Sequence, residues 1–491
     1  MQMQAAVLQV DRGVLYARAK VIIDEAVDMS EQAGGDIWLA EEATLGATAR
    51  FQKMMAQADL DATIFQMRPR YCPGCGWLLG YHDTQRKKLI TRGGEAEYKR
   101  GRYRCGGCGK EYVPADVLNG LVKTGETGEE TTGYTLGARM VIAGEAAGEA
   151  YATTSEGVKP EIQVSRQEVA RIVAEVAECR KEEEEGTVAA KLGDREAPGP
   201  MPAGEGVALA STWQEKELPQ GAACCVGLDG GKFRTCKRGG DGKFEFREGR
   251  VGTIAVTSKG EQLPKEKAGG KLYLARVALL FSAEKMVELL YAAYMTLPAG
   301  VRGLPLVFIG DGGPWWEWVS VHFPQAVQIL DIFHAGEHCV AAAVWCFGEG
   351  SDTVRQWRAG IRERLKRPGG LEEVIATLYR GRPSARENPK GHHEVLKAIR
   401  YLHEHRHRMR YWEYEEAGLP IGSGGVESAV DLVIEERMRE RGRRWRLENA
   451  DRMMCLRAAV LSGELAPLFQ RRRHAAIEDG RGFFEPLQHA A

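Results

Sequence analysis

Leu304-Pro-Leu-Val-Phe-Ile-Gly-Asp-Gly-Gly313 decides the fold. Leu304 to Ile309 is a short apolar run rich in β-formers. It reads as a strand buried on both faces, ending at Asp311. A matching run lies upstream. Ala222 to Leu228, within Val226-Gly-Leu-Asp-Gly-Gly231, reads as a strand ending at Asp229. A lone acid before glycine at a strand tip is often a turn residue. Two such acids in the same setting, in order along one chain, are candidates for shared chemistry.

Working outward, Arg250–Val256 and Leu272–Val277 read as strands and Ala283–Met295 as a helix. Pro314 opens a short helix, because proline suits a first helical turn. Ala326–Leu330 is a further strand, ending at Asp331. Three strands, a helix, a strand, a helix and a strand follow the order of an RNase H-like sheet. Residues 335–417 are helical and rich in Arg, Glu and His. A last long helix starts near Gly424 and runs past Arg439. Glu427 sits near its start, within Gly422-Ser-Gly-Gly-Val-Glu-Ser428. The bland reading of Glu427 is an acid favoured by the helix dipole. The sharper reading makes it the third ligand of a metal pair, with Asp431, one turn later, as fallback. RNase H-type phosphoryl transfer uses two divalent ions a few Å apart. Mg²⁺ or Mn²⁺ takes carboxylate oxygens and retained water. Asp229, Asp311 and Glu427 are therefore the candidate catalytic and magnesium-binding residues.

The bulk properties suit this reading. With 491 residues, 44% hydrophobic and 27% charged, the chain is expected to be soluble and to hold two to four domains. Its net charge of −1 hides local imbalance. No secretory signal and no stretch of some 18 to 20 apolar residues is seen, so a cytoplasmic, nucleoid-associated protein without a membrane partner is expected. The expected organisation is a helical region at 1–67, a zinc ribbon at 68–115, and a helical, candidate helix-turn-helix-like DNA-binding domain at 116–186. A Pro/Gly-rich linker follows at 187–217. The α/β core spans 218–334, a helical insertion 335–420, the last core helix 421–465 and a tail 466–491. Within the second helical region, Ser165-Arg-Gln-Glu168 carries the capping-box pattern.

Eleven cysteines are present, an odd number, which argues against a disulfide framework. Seven are scattered and read as small buried hydrophobes. The other four form two matched knuckles, Cys72-Pro-Gly-Cys75-Gly and Cys105-Gly-Gly-Cys108-Gly, with 29 residues between them. Two such pairs make a closed four-sulfur site for structural Zn²⁺. A redox pair explains one knuckle but not two. Between Arg68 and Lys110 there are eleven Lys/Arg against three Asp/Glu, with tyrosines and Trp77 interleaved. Such a module is a candidate DNA surface, with Arg100 and Arg102 among its contacts. The alternative is a purely structural staple.

The order of motifs also resembles a known group. Leu228-Asp-Gly230, Gly310-Asp-Gly-Gly-Pro-Trp-Trp316, Ile329-Leu-Asp-Ile-Phe-His-Ala-Gly-Glu-His338, Ile421-Gly-Ser-Gly-Gly-Val-Glu-Ser-Ala429, and Arg437 with Gly442-x-x-Trp445 resemble the Mutator-like DDE transposases. The likeness is greatest to the ISKra-type insertion-sequence family. It covers roughly residues 68 to 465. It implies that Asp229, Asp311 and Glu427 form the DDE triad and that DNA is the partner of a homo-oligomer. It also implies that Asp331 and His334 match the Asp-x-x-His element of that group, in a supporting role. The Gly-Gly-Pro after Asp311 departs from the Gly-Ala expected in relatives. Two rivals stay open: a nuclease without strand transfer, and a non-catalytic zinc-ribbon DNA-binding protein.

Two further basic clusters are candidates for phosphate contact. Val354–Arg410 holds fifteen Lys/Arg against six Asp/Glu, and Arg437–Arg446 six arginines against one glutamate. Arg437, Arg441, Arg443 and Arg444 are the named candidates; solvated helix faces are the plain alternative. His403 and His407 share a helical face, which reads as polar surface rather than as a metal pair.

Overall fold

The computed structural model describes residues 12–34, 36–65, 69–122, 132–157, 162–193, 218, 221–257, 271–279 and 282–481. It is mixed α/β with two sheets, and it divides into two compact units. The first holds residues 1–175 and 465–491, the second 176–464.

The first unit begins with α1 (Arg12–Gln32) and α2 (Ile37–Phe65). The strands β1 (Leu79–Thr91), β2 (Gly94–Cys105) and β3 (Glu111–Tyr112) form an antiparallel sheet in that order. The 29 residues between the knuckles are thus a long hairpin, and its register sets Leu79 opposite Cys105. That pairing carries the two knuckles together. The helices α3 (Pro114–Leu118), α4 (Leu136–Gly148), α5 (Tyr151–Gly157) and the start of α6 (Arg166–Gly193) follow. Ser165 Oγ accepts from Glu168 N at 3.2 Å, one half of the capping box; the Glu168 carboxylate turns instead to Arg171. The expected C-terminal tail contains a helix, Leu465–Arg481, that belongs to this unit.

The helix α6 runs to Gly193, through the acidic run expected to precede a linker. Arg180 Nε meets Glu184 Oε1 one turn on, at 3.1 Å, and its Nη2 meets Glu464 at 3.0 Å. A buried partner therefore keeps one of these acids inside a helix. The linker expected at 187–217 is corrected to this extent: residues 187–193 are helical, and 194–217 lie outside the described residues.

The second unit is built on β4 (Ala223–Arg238), β5 (Phe244–Thr257), β6 (Lys271–Leu279), β7 (Leu306–Gly310) and β8 (Val327–Leu330). Their order across the sheet is β6-β5-β4-β7-β8. The β4-β5 and β5-β6 pairs are antiparallel; β4-β7 and β7-β8 are parallel. β7 is buried at every residue, and its side chains alternate. Phe308 joins Val226, Leu228 and Ile254 in one core, under α7 (Ala283–Met295). The short α8 (Ala299–Arg302) follows α7. α9 (Trp316–His322) completes that layer; it begins two residues later than Pro314. Val307 and Ile309 face the opposite core. That core is closed by α10 (Ile332–Phe347), α11 (Asp352–Leu365), α12 (Gly370–Gly381), α13 (Pro389–His405) and α14 (Tyr411–Glu416).

Two sequence expectations are corrected here. β4 does not end at Asp229. It continues for nine residues as a hairpin with β5. The glycines after Asp229 serve packing instead of a turn. α15 (Gly424–Val430) lies against β4, and a Cβ on Gly231 would stand 2.8 Å from Val430 Cγ1. Gly227 gives similar room to Val426. The last helix is also not one plain α-helix. After α15 it widens into a π-turn at Asp431–Glu435, and α16 (Glu436–Met438) ends it before Arg439. π-turns inside helices are frequent near functional sites.

Candidate metal centres

Cys72, Cys75, Cys105 and Cys108 bring their sulfurs within 4.8 Å of one another. Cys75 and Cys105 stand 3.4 Å apart, Cys72 and Cys108 3.7 Å. A tetrahedral zinc with bonds of about 2.3 Å has edges of roughly 3.8 Å. Each knuckle turns on a left-handed glycine. Gly76, at φ 71°, returns its N–H to Cys72 O; Gly109, at φ 73°, returns its own to Cys105 O. The Cys108 and Gly107 amides point at Cys105 Sγ, at 3.4 and 3.3 Å. The Cys108 amide, helped by that of Gly107, lowers the Cys105 pKa to about 6, which favours the thiolate a metal needs. This four-sulfur group could hold a structural zinc ion.

Asp229 lies on β4, and Asp311 directly follows the end of the adjacent β7. Leu228 pairs with Gly310 in parallel register, so the residues that follow come side by side. Asp229 Oδ1 accepts from Gly230 N at 2.7 Å, and Asp311 Oδ1 from Gly313 N at 2.8 Å. Gly312 and Gly313 are sterically required. A Cβ on Gly312 would meet the Tyr401 ring of α13 at 2.1 Å, and one on Gly313 the Trp315 ring at 2.3 Å.

His334, in the first turn of α10, completes the group. Oxygens of Asp229 and Asp311 and an imidazole nitrogen lie within 4.8 Å of one another. His334 also groups with Asp331 and Glu427 on the same criterion. One imidazole is thus flanked by all three expected acids. Burial, then the nearby Asp311 charge, raises the Asp229 pKa to about 6 against the pull of the Gly230 amide. Burial also raises that of Asp311. The Asp331 carboxylate does most to raise His334, to about 9, with Asp229 and Asp311 adding. His334 Nδ1 is 4.0 Å from Asp331 Oδ2, so this is an attraction of charges beyond hydrogen-bond length.

Asp331 is fully buried and ties the site together. Its Oδ1 caps α10 by accepting from Phe333 N at 2.6 Å. Its Oδ2 accepts from Ser423 N at 2.8 Å and from the Ser423 hydroxyl. That hydroxyl lies 3.3 Å from Glu427 Oε1. The Asp-x-x-His spacing marks Asp331 and His334 in the sequence. Ser423 is marked only as part of the Gly-Ser-Gly motif, and Tyr401 by nothing in the sequence, because both roles depend on segments that meet only in space.

The remaining expected residues separate. Asp431 is exposed and joins no candidate metal group among the described residues, nor do His403 and His407. Arg437 is buried under Trp445, 5.2 Å from its ring, which a phosphate contact would not want. Arg443 pairs with Glu440 at 2.5 Å. Arg441 and Arg444 are exposed. Arg100 pairs with buried Asp116, and Arg102 with Asp83 at 2.8 Å and Glu111 at 3.1 Å, so both serve internal ion pairs of the ribbon. Cys236 is exposed, unlike the buried thiol expected, because it lies beyond the packed part of β4. No described helix is long and apolar enough to cross a membrane. Set against known proteins, the chain matches no protein family and no curated protein.

Proposed function

We propose that this chain is a DDE-type DNA transposase with an RNase H-like catalytic core, working as a homo-oligomer on DNA in the cytoplasm. The observation that carries the reading is the placement of two acids side by side on the sheet and a third on the helix that packs over it, with His334 grouped with each set. Three antiparallel strands followed by two parallel ones, ordered 3-2-1-4-5, support an RNase H-like reading of the sheet. Asp229 on the first of these strands lies beside Asp311 just past the end of the fourth, and Glu427 lies on the helix packed over the first.

The acids suit divalent cations. Two carboxylates held close, both raised in pKa by burial and Asp229 further by the Asp311 charge, gain from an added cation. Asp229, Asp311 and Glu427 would hold Mg²⁺ or Mn²⁺, which activates an attacking oxygen and stabilises a leaving one. The protein's own part is positioning. The Gly230 and Gly313 amides fix two of the carboxylates, and the Asp331–Ser423 tie sets the start of the helix bearing Glu427. His334 places positive charge between the acids. In this reading exposed Arg441 and Arg444 contact phosphates.

The test uses linear duplexes carrying the DNA that flanks the protein's own coding sequence, with Mg²⁺. Wild type should cut at a discrete end and join pre-cut ends to a second duplex. Glu427→Gln should do neither. Cutting without joining would make the protein a nuclease, and an unchanged Glu427→Gln variant would remove the catalytic reading.

A further inference from the structure

A groove opens between α10 and α11. Its volume is about 480 Å³, in the range of small-ligand sites. Phe333, Gly336, Val340 and Val344 recur at three and four residues on α10 and form one wall. Ile361 and Arg362 of α11 belong to the other. Gly336 lets the two helices approach, since even a Cβ there would touch Ile361 Cγ2 at 3.4 Å.

Phe333 lies at the end of the groove nearest the acids. It directly precedes His334, and neighbouring Cα atoms are only about 3.8 Å apart. Its ring also meets the loop that leads to Glu427, because a Cβ on Gly422 would stand 2.8 Å from Phe333 Cε2. The next residue, Ser423, holds its hydroxyl 3.3 Å from Glu427 Oε1. Phe333 is nevertheless 43% exposed. The Arg362 guanidinium lies 4.6 Å from its ring centroid. Arg362 is itself exposed, and among the described residues it has no carboxylate partner.

The chemistry of the groove selects its occupant. An open aromatic ring with a guanidinium over it is a stacking platform, and every nucleobase has a π-face. The unpaired guanidinium suits the phosphate attached to such a base. The apolar side chains of Val340, Val344 and Ile361 suit a base that has left the duplex. Glu337, the acid in the lining, can accept from an exocyclic amine. An apolar helix laid in the groove would instead bury the Arg362 charge without a partner, which is costly.

We propose that this groove takes a nucleobase extruded from the duplex beside the phosphate held at the acids, stacked on Phe333 next to Arg362. The position of the DNA is taken from the catalytic reading, on which this site therefore rests.

Duplexes carrying the DNA that flanks the coding sequence, with 2-aminopurine placed in turn at each position around the end, test it on the full chain. Ca²⁺ replaces Mg²⁺, so that binding is read without cutting. Bound to wild type, one position should brighten several-fold as its base leaves the stack. Phe333→Ala should lose the brightening, and Phe333→Tyr should keep it. Val340→Trp, which fills the groove beside an intact Phe333, should lose it too. With Mg²⁺, Phe333→Ala should cut roughly tenfold more slowly. A duplex lacking that one base should restore its rate, which a misfolded variant would not show. Cutting at a discrete end with no position brightening overturns the proposal and leaves the catalytic reading standing. Brightening that depends on Phe333, without cutting, supports the groove and removes the catalytic reading. A chain that binds none of these duplexes overturns both. Brightening unchanged in Phe333→Ala, or a slow variant that the missing base does not rescue, overturns the proposal alone.

Discussion

Asp229→Asn should stabilise the second unit above neutral pH when divalent cations other than zinc are absent. Burial raises the Asp229 pKa from 3.8 to about 6, with Asp311 adding. A carboxyl whose folded pKa is raised favours folding while protonated. Its contribution is complete below pH 3.8 and is lost as pH rises through about 6. A shift of about two units corresponds to roughly 3 kcal/mol at full ionisation, an upper bound for a partly open site. Asparagine keeps the oxygen that accepts from Gly230 N, so little else changes. The expected gain is on the order of 1–3 kcal/mol at pH 8 and near zero at about pH 3, below both pKa values. Urea unfolding followed by tryptophan fluorescence reads it, since Trp315, Trp316 and Trp357 are buried in this unit. Adding Mg²⁺ should stabilise wild type and not the variant, reversing their order. A variant no more stable than wild type at pH 8 would refute the account of a self-repelling acid pair.

Other expectations follow from the same geometry. The protein should bind one zinc per chain by metal analysis, and Cys108→Ser should lose it together with the protease resistance of residues 69–112; full zinc in that variant would exclude the four-sulfur site. Gly231→Val should destabilise the second unit by roughly 1–3 kcal/mol in chemical unfolding, because its Cβ would meet Val430 at 2.8 Å. Asp331→Asn turns an amide N–H₂ toward the Ser423 donors and should cost about 2–4 kcal/mol. Ser423→Ala should cost nearer 1 kcal/mol, and equal losses for the two would contradict the tie.

Periodicity made the element types of the second unit readable. The helix at Ala283–Met295 matches to the residue, since an N-capping Ser282 and an apolar stripe agree there. Strand ends were less legible. Gly230 and Gly231 look like turn residues, yet they lie inside β4, because a glycine that admits a helix and a glycine that makes a turn have the same letter. The acidic run at Glu182–Glu185 looks like a helix end for a comparable reason. Only the spatial meeting of Arg180 with Glu184 and Glu464 explains why the helix continues. The four cysteines could be grouped from spacing alone, since each pair is local. Glu427 is expected from the sequence as a partner of the two aspartates, whereas its grouping in the structure is with Asp331 and His334, which depends on two segments far apart in sequence.

The excursion between the second and third acids explains how that grouping is kept. The chain leaves the sheet after Leu330, builds α10 to α14, and returns at Ile421. Departure and return are at one place. Ile332 N donates to Ile421 O at 3.1 Å, and Asp331 holds Ser423 from the other side of the same junction. The entropy of closing a loop grows only slowly with its length, so the excursion can be long without loosening its ends. What fixes Glu427 is therefore local. Asp331 is at once the cap of the outgoing helix, the acceptor for the incoming loop and the charge nearest His334. Tyr401 adds one contact from the excursion itself, pressing on Gly312 beside Asp311. The helical excursion is thus free to vary over most of its surface, and bound to the acids at Asp331 and Tyr401.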